Sequence, residues 1–334
     1  MRPSDVQRCF TDPVMADSVD AGTQCAHGAL LVRPACFGYN GQTAASNRFQ
    51  QAAQLPDTAE RARAEFAALA AGIEAAGVRV CVVDDSGEPV KPDAVFPNNW
   101  VSFHADGTIV VYPMHAPNRR TERRMEIVAA VERQLGFQRT RLLDLSSHEQ
   151  HERMLEGTGS LVLDHVHRIA YACRSARTDE SLVREWSALM RYEAMLFDAR
   201  GSGGTPIYHT NVMLSIGSHW AVVCAEAIDT ADRDRVLQRL GASGREIIRI
   251  TLPAMSGFGA NILELRGTDA SGGERSVLAL SERACSALQQ LDHCAWDRLR
   301  ERVDRVIAAD IATIESVGGG SVRCMLAEVP ATQA

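Results

Sequence analysis

Apolar positions along the chain alternate between two patterns: short strand-like runs, and longer runs spaced as on an amphipathic helix. Residues 58–77 (TAERARAEFAALAAGIEAAG) predict a helix, with a start signal at Asp57/Thr58 and a stop at Gly77. VRVCVVD, residues 78–84, predicts a strand. The runs NWVSF and TIVVYPM predict a hairpin turning at Ala105-Asp106-Gly107. Residues 120–135 then predict a helix and residues 139–145 a strand. The order recurs downstream. SLVLD and RIAYACR pair across residues 165–167, a helix covers 180–190, and EAMLFDA is a strand. After Gly201-Ser202-Gly203-Gly204 come NVMLSIG and HWAVVCAEAI, a helix over 231–240 and the strand EIIRITL. A fourth repeat opens at residues 260–265, continues through SVLALS and ends in a helix over 295–307. The last strand, 321–329, needs a partner, and the early strand ALLVRP, 29–34, has none nearby in sequence.

The chain therefore reads as about five units of two strands, a helix and a strand, at a period typical of repeat architectures. Pairing the first strand with the last closes the ring and removes open sheet edges. The fold class expected is α/β, a five-bladed pseudo-symmetric propeller of ββαβ units. Its 334 residues would divide into a loose polar leader over 1–26 and one catalytic domain over 27–334.

Each unit opens with polar residues just before a buried strand. These are Phe96-Pro97-Asn98-Asn99-Trp100, Leu155-Glu156-Gly157-Thr158-Gly159, Tyr208-His209-Thr210-Asn211, Phe258-Gly259-Ala260-Asn261 and the stretch from Gly318 to Cys324. In a ring of repeats, equivalent positions face one axis. Asn99, Glu156, His209, Asn211 and Cys324 are thus expected in one pocket. A Cys, a His and a Glu meeting there supply a nucleophile, an acid–base and an orienting group.

Composition narrows the chemistry. A net charge of −7 argues against a nucleic-acid-binding face, and no apolar run reaches the length of a membrane span. Nine cysteines without a CxxC pair argue against a disulfide framework and for the cytoplasm. Cys81, Cys173 and Cys224, inside apolar strands, read as structural thiols. His148-Glu149-Gln150-His151-Glu152 lacks HExxH spacing, so no metal is expected there. His165 and His167 read as solvated turn residues. Asn118-Arg119-Arg120, with Arg123 and Arg124, reads as a solvated helix start.

On these motifs the sequence resembles the guanidine-modifying, or pentein, superfamily of arginine deiminases, dimethylarginine hydrolases, amidinotransferases and dihydrolases. RPACFGYN, FPNNW, LEGTGS, YHTNV and GGGSVRC carry the resemblance, most like the citrulline-utilisation hydrolases, from about residue 29 to 329. It implies a pentein fold with Cys324, His209 and Glu156 as catalytic residues, and no metal or organic cofactor. Phe96 belongs to the first substrate-binding motif. Where deiminases place two aspartates against a guanidinium, this chain has Asn99 and Asn211, whose amides donate as well as accept. The expected substrate is therefore citrulline, cleaved to ornithine, ammonia and carbon dioxide through a thiocarbamoyl intermediate on Cys324. The alternatives are an arginine dihydrolase or deiminase, a dimethylarginine hydrolase, and an amidinotransferase using the same Cys. Arg174 and Arg177 are candidates for binding the substrate carboxylate, with Arg33 behind them. The expected partner is this small molecule, not nucleic acid or membrane, and a homo-oligomer is left open.

Overall fold

The structure is a computed structural model that describes residues 23–52 and 57–332. Fifteen strands among these residues form five three-stranded sheets. Strands β1 (Gly28–Arg33) and β2 (Arg79–Asp84) make a sheet with the last strand. Next come β3 (Val101–Phe103), β4 (Thr108–Val111) and β5 (Arg141–Asp144), then β6 (Val162–Asp164), β7 (Ile169–Cys173) and β8 (Glu193–Phe197). The fourth sheet is β9 (Leu214–Ile216), β10 (Trp220–Val223) and β11 (Glu246–Arg249). The fifth is β12 (Leu263–Thr268), β13 (Glu274–Ser281) and β14 (Arg305–Ala309), and the chain ends in β15 (Ala327–Val329).

Every sheet has the same logic. An antiparallel pair comes first, and a helix then carries the chain over to a third strand parallel to the second, because a parallel neighbour needs a long crossover. The crossover helices are Thr58–Ala75, Met125–Leu135, Glu180–Met190, Thr230–Gly241 and the pair Glu282–Leu291 and His293–Arg300. The first sheet borrows its antiparallel member from the other end of the chain, with Gly28 opposite Val329 and Leu30 opposite Ala327. That is the closing pair expected from the unpartnered early strand. Strands β7 and β10 are buried throughout and β13 from Val277 onward, and Trp100, Trp186 and Trp220 are fully buried in the apolar clusters around the sheets.

Three local expectations change. The predicted helix over 295–307 stops at Arg300, and Arg305–Ala309 is a strand parallel to β13, where β-branched Val306 and Ile307 suit a pleated surface. The predicted strand over 321–329 begins instead with a helical turn, Val322–Met325. Buried Val322, Met325 and Leu326 have helical rather than alternating spacing, and the Cys324 amide bonds back to Ser321 O. Most of the expected leader, residues 1–22, lies outside the described residues. Its last part is packed: Gln24, Cys25 and Ala26 are buried, and Gln24 Nε2 donates to Leu163 O at 2.9 Å.

The same short turn precedes the first strand of three further units: Pro97–Asn99, Gly157–Ser160 and Thr210–Val212. These unit starts bond one to the next. Asn98 Nδ2 donates to Thr158 Oγ1 at 3.3 Å, Thr210 Oγ1 to Ser160 O at 2.6 Å, and Asn261 Nδ2 to Asn211 O at 3.1 Å. Asn261 then meets Cys324 at 3.4 Å. The loop before Cys324 packs on Phe96: a Cβ added to Gly320 would lie 2.8 Å from that ring. Positions far apart in sequence are thereby brought together.

Candidate active site

The unit starts surround a pocket, about 270 Å³ including its open mouth, whose lining includes Phe96, Asn99, Arg177, His209 and Cys324. Glu156 stands behind His209 and is completely buried. Its Oε2 is 2.9 Å from His209 Nε2 and 3.3 Å from Arg177 Nη1, and its Oε1 accepts from the His115 amide at 3.0 Å. Burial alone would push the Glu156 carboxyl up. The Arg177 charge and the His209 hydrogen bond outweigh it and hold the group well below the usual carboxylate range. Burial lowers His209 to about 4, against the pull of Glu156. The pair therefore rests as a carboxylate and a neutral imidazole. A carboxylate only accepts, so Nε2 carries the ring proton.

Cys324 is buried, and its sulfur lies between two amides. Asn261 Nδ2 is 3.4 Å from Sγ and Asn211 Nδ2 is 3.5 Å away. Asn261 Oδ1, at 3.7 Å, accepts from the thiol. Two N–H donors favour the thiolate, and the carbonyl serves the protonated form.

Glycines let these groups approach. A Cβ on Gly159 would fall 2.6 Å from Asn99 Nδ2 and 2.7 Å from His209 Nδ1. Gly319 sits at φ +67, with its carbonyl accepting from Asn47 Nδ2 at 3.1 Å and from Tyr208 Oη at 3.0 Å.

Among the described residues, the buried polar atoms without a partner in this region include Asn99 Nδ2, Asn211 Oδ1 and Asp93 Oδ1. The orientation of Asn99 is set by Arg119, whose Nη1 donates to Asn99 Oδ1 at 2.8 Å. A guanidinium cannot accept, so the amide nitrogen is the free end of Asn99.

The sequence reading assigned no site role to Arg119, treating it as part of a solvated helix start. The structure buries it in the pocket wall. Glu122 accepts from its Nε and Nη2, each at 2.9 Å, Phe96 O accepts from Nη2 at 3.3 Å, and the Asp93 carboxylate is 3.7 Å away. Nothing in the sequence separates Arg119 from neighbours Arg120, Arg123 and Arg124; the turn Pro117–Glu122 turns this one inward. Asp93 was also unassigned. It is buried, accepts from Asn40 Nδ2 at 2.7 Å and keeps Oδ1 unpartnered.

Of the arginines expected to bind substrate, Arg177 lines the pocket, buried and bonded to Ser46 Oγ and Thr43 O. Arg174 is turned away, pairing with Glu180 at 2.6 Å and Asp198 at 3.4 Å on the surface, and Arg33 pairs with Asp84. Both readings are corrected: Glu180 and Asp198 hold Arg174 outside, and Asp84, opposite Arg33 on the neighbouring strand, holds Arg33. His165 is half-buried with Nδ1 2.8 Å from Tyr192 Oη, so of the two turn histidines only His167 is exposed. Among the described residues no group of three or more His, Cys, Asp or Glu could hold a metal ion, and no helix is long and apolar enough to cross a membrane.

Solved structures with a similar fold include the substrate-bound N-terminal domain of ArgZ, an arginine dihydrolase from the ornithine-ammonia cycle in Cyanobacteria. Its TM-score is 0.68 at 14% identity, over 91% of this chain and 98% of that one. AgrE in complex with L-arginine matches with a TM-score of 0.67 at 15% identity, over 92% of this chain and 40% of that one. A dimethylarginine dimethylaminohydrolase carrying an S-methyl-L-thiocitrulline adduct matches with a TM-score of 0.60 at 15% identity, over 90% and 98%. No curated protein sequence matches. The chain is a member of the pentein superfamily of guanidine-modifying hydrolases. Within it, the family model for N,N dimethylarginine dimethylhydrolase, eukaryotic, matches residues 33–331, and the chain belongs to that family. It is a hydrolase of non-peptide C–N bonds.

Proposed function

We propose that the protein hydrolyses the guanidino group of a free arginine-type amino acid through Cys324, and that it continues past the ureido stage as an arginine dihydrolase does. The first part is supported by the family match and by His209, bonded to the buried Glu156, lining the same pocket as Cys324. The observation that carries the second is the free Nδ2 of Asn99. A guanidinium is all donor and has no use for it. The carbonyl oxygen of a ureido group does.

The five sheets are the blades of a closed α/β propeller in one catalytic domain, and the reacting groups stand at its axis. In the first round the Cys324 thiolate bonds to the guanidino carbon. The thiol proton passes by way of His209 to the nitrogen that leaves as ammonia. Water, deprotonated by His209, then breaks the C–S bond and yields the ureido acid. In the second round Sγ attacks the ureido carbon, a second ammonia leaves, and water cleaves the thiocarbamoyl group to a carbamate, which falls apart to carbon dioxide and ornithine. Glu156 keeps His209 oriented and stabilises its charged form in passing. Asn211 Oδ1 accepts from a substrate N–H, and Phe96 closes the pocket over the Gly-rich loop. The α-carboxylate is held by Arg177 with Arg119, and the α-ammonium by the free Oδ1 of Asp93.

A second reading has its own support: Asn99 and Asn211 are neutral, so citrulline alone would satisfy both. Assays of the purified protein on arginine, citrulline and N,N-dimethylarginine separate these readings. Turnover of arginine to ornithine supports the dihydrolase. Turnover of citrulline without arginine supports the second reading. Citrulline accumulating as end product refutes the second round.

A further inference from the structure

A second cleft opens on the far side of Tyr208, which lines both cavities. It measures about 760 Å³ including its open mouth. Its apolar part is built by Phe49, Ile207 and Met255. The Phe49 ring lies 4.9 Å from that of Phe258 and 6.4 Å from that of Tyr208. Arg48 and Arg283 line the same concavity, and among the described residues neither forms an ion pair with a carboxylate. Arg48 Nη1 donates to Ser202 O at 2.9 Å. Arg283 Nη2 donates to Ser256 O at 3.3 Å, and its guanidinium stands 5.1 Å from the Phe258 ring centre. Each keeps N–H groups free.

We propose that this cleft binds a small organic anion with a flat apolar body, of the aromatic carboxylate class. The aromatic and aliphatic side chains remove the body from water, and two guanidiniums with no ion pair among the described residues, whose planar forks match a carboxylate, take the charge. In the catalytic pocket, by contrast, each arginine is paired with a glutamate, Arg177 with Glu156 and Arg119 with Glu122.

The cleft also has a route to the chemistry. Tyr208 Oη and Asn47 Nδ2, the latter in the residue before Arg48, both donate to Gly319 O. A ligand pressing on Tyr208 and on residues 48–49 therefore bears on the two groups that hold the loop leading to Cys324. Occupancy is expected to change turnover even when arginine saturates the catalytic pocket.

The test uses the full-length protein with two probes of one shape, 1-naphthoate and 1-naphthylmethanol, followed by naphthalene fluorescence. The acid is expected to bind at a saturable site that persists in excess arginine, and the alcohol to bind at least about tenfold more weakly. The double variant Arg48→Ala/Arg283→Ala, altered at two exposed positions outside the catalytic pocket, is expected to weaken the acid by at least about tenfold while probe-free kcat stays unchanged. Equal binding of acid and alcohol, unaltered binding by the double variant, or displacement of the acid by arginine would each overturn the proposal.

Discussion

Asn261 Nδ2 lies 3.4 Å from Cys324 Sγ, while the same nitrogen donates to the Asn211 carbonyl at 3.1 Å. That second bond orients the amide so that its nitrogen is the nearer of its two ends to the sulfur, with Oδ1 at 3.7 Å. A hydrogen bond to a charged group is worth about 1.5–3 kcal/mol. Asn261→Ala should therefore slow alkylation of Cys324 at neutral pH by about tenfold, and Asn261→Asp further, because a carboxylate would then oppose the thiolate. The pH profile of Cys324 inactivation by iodoacetamide reads this directly. An unmoved profile in both variants removes Asn261 from the account.

Gly159 is needed for space rather than for backbone freedom. Its missing Cβ is what lets Asn99 and His209 approach each other across it. Gly159→Ala should leave the melting temperature within a few degrees and lower kcat by about 100-fold, the order of a displaced acid–base group. Normal kcat in a folded Ala variant would show that these two side chains have room to spare.

The arginines divide by position. Arg119→Lys keeps the charge but loses the planar fork, and is expected to raise KM for arginine by about tenfold or more. Arg174→Ala should change KM by less than about twofold, since its partners are Glu180 and Asp198 on the surface. Steady-state kinetics on both variants settle the assignment; the opposite ranking would put the substrate carboxylate elsewhere.

Glu156 gives a pH prediction with a definite sign. Its carboxyl is held below the unfolded value, mainly by Arg177 and His209 against burial. The stability it contributes is thus present above the unfolded pKa, about 4.3, and is lost as pH falls below it. Thermal melts between pH 7 and pH 3 should show Glu156→Gln less stable than the wild type at pH 7, with a smaller loss on acidification. Parallel curves would mean that the carboxylate is not ionised in the fold.

Much of this site was legible because the chain repeats itself. Helix periodicity in residues 180–190 and the turn at Asp106-Gly107 are local signals, and the structure follows them. Convergence of Glu156, His209 and Cys324 followed from their equivalent places in successive units. What the pattern could not carry was the direction of single side chains. Arg119 and Arg120 are adjacent and chemically identical, and one is buried while the other is partly exposed. Arg174 and Arg177 differ only in whether Glu180 and Asp198 or Glu156 lies within reach. The turn at Val322–Met325 reads as strand because it runs into the continuous apolar stretch from Cys324 to Ala327, a pattern that strands and buried helical turns share.

The most direct test of the central claim is the reaction itself. Purified protein is incubated with arginine, ammonia and ornithine are quantified, and a rapidly quenched sample is digested for mass spectrometry. The account predicts two ammonia per ornithine, a transient adduct on the peptide containing Cys324, and loss of both turnover and adduct in folded Cys324→Ala. Turnover retained in Cys324→Ala, or an adduct on another residue, would contradict it.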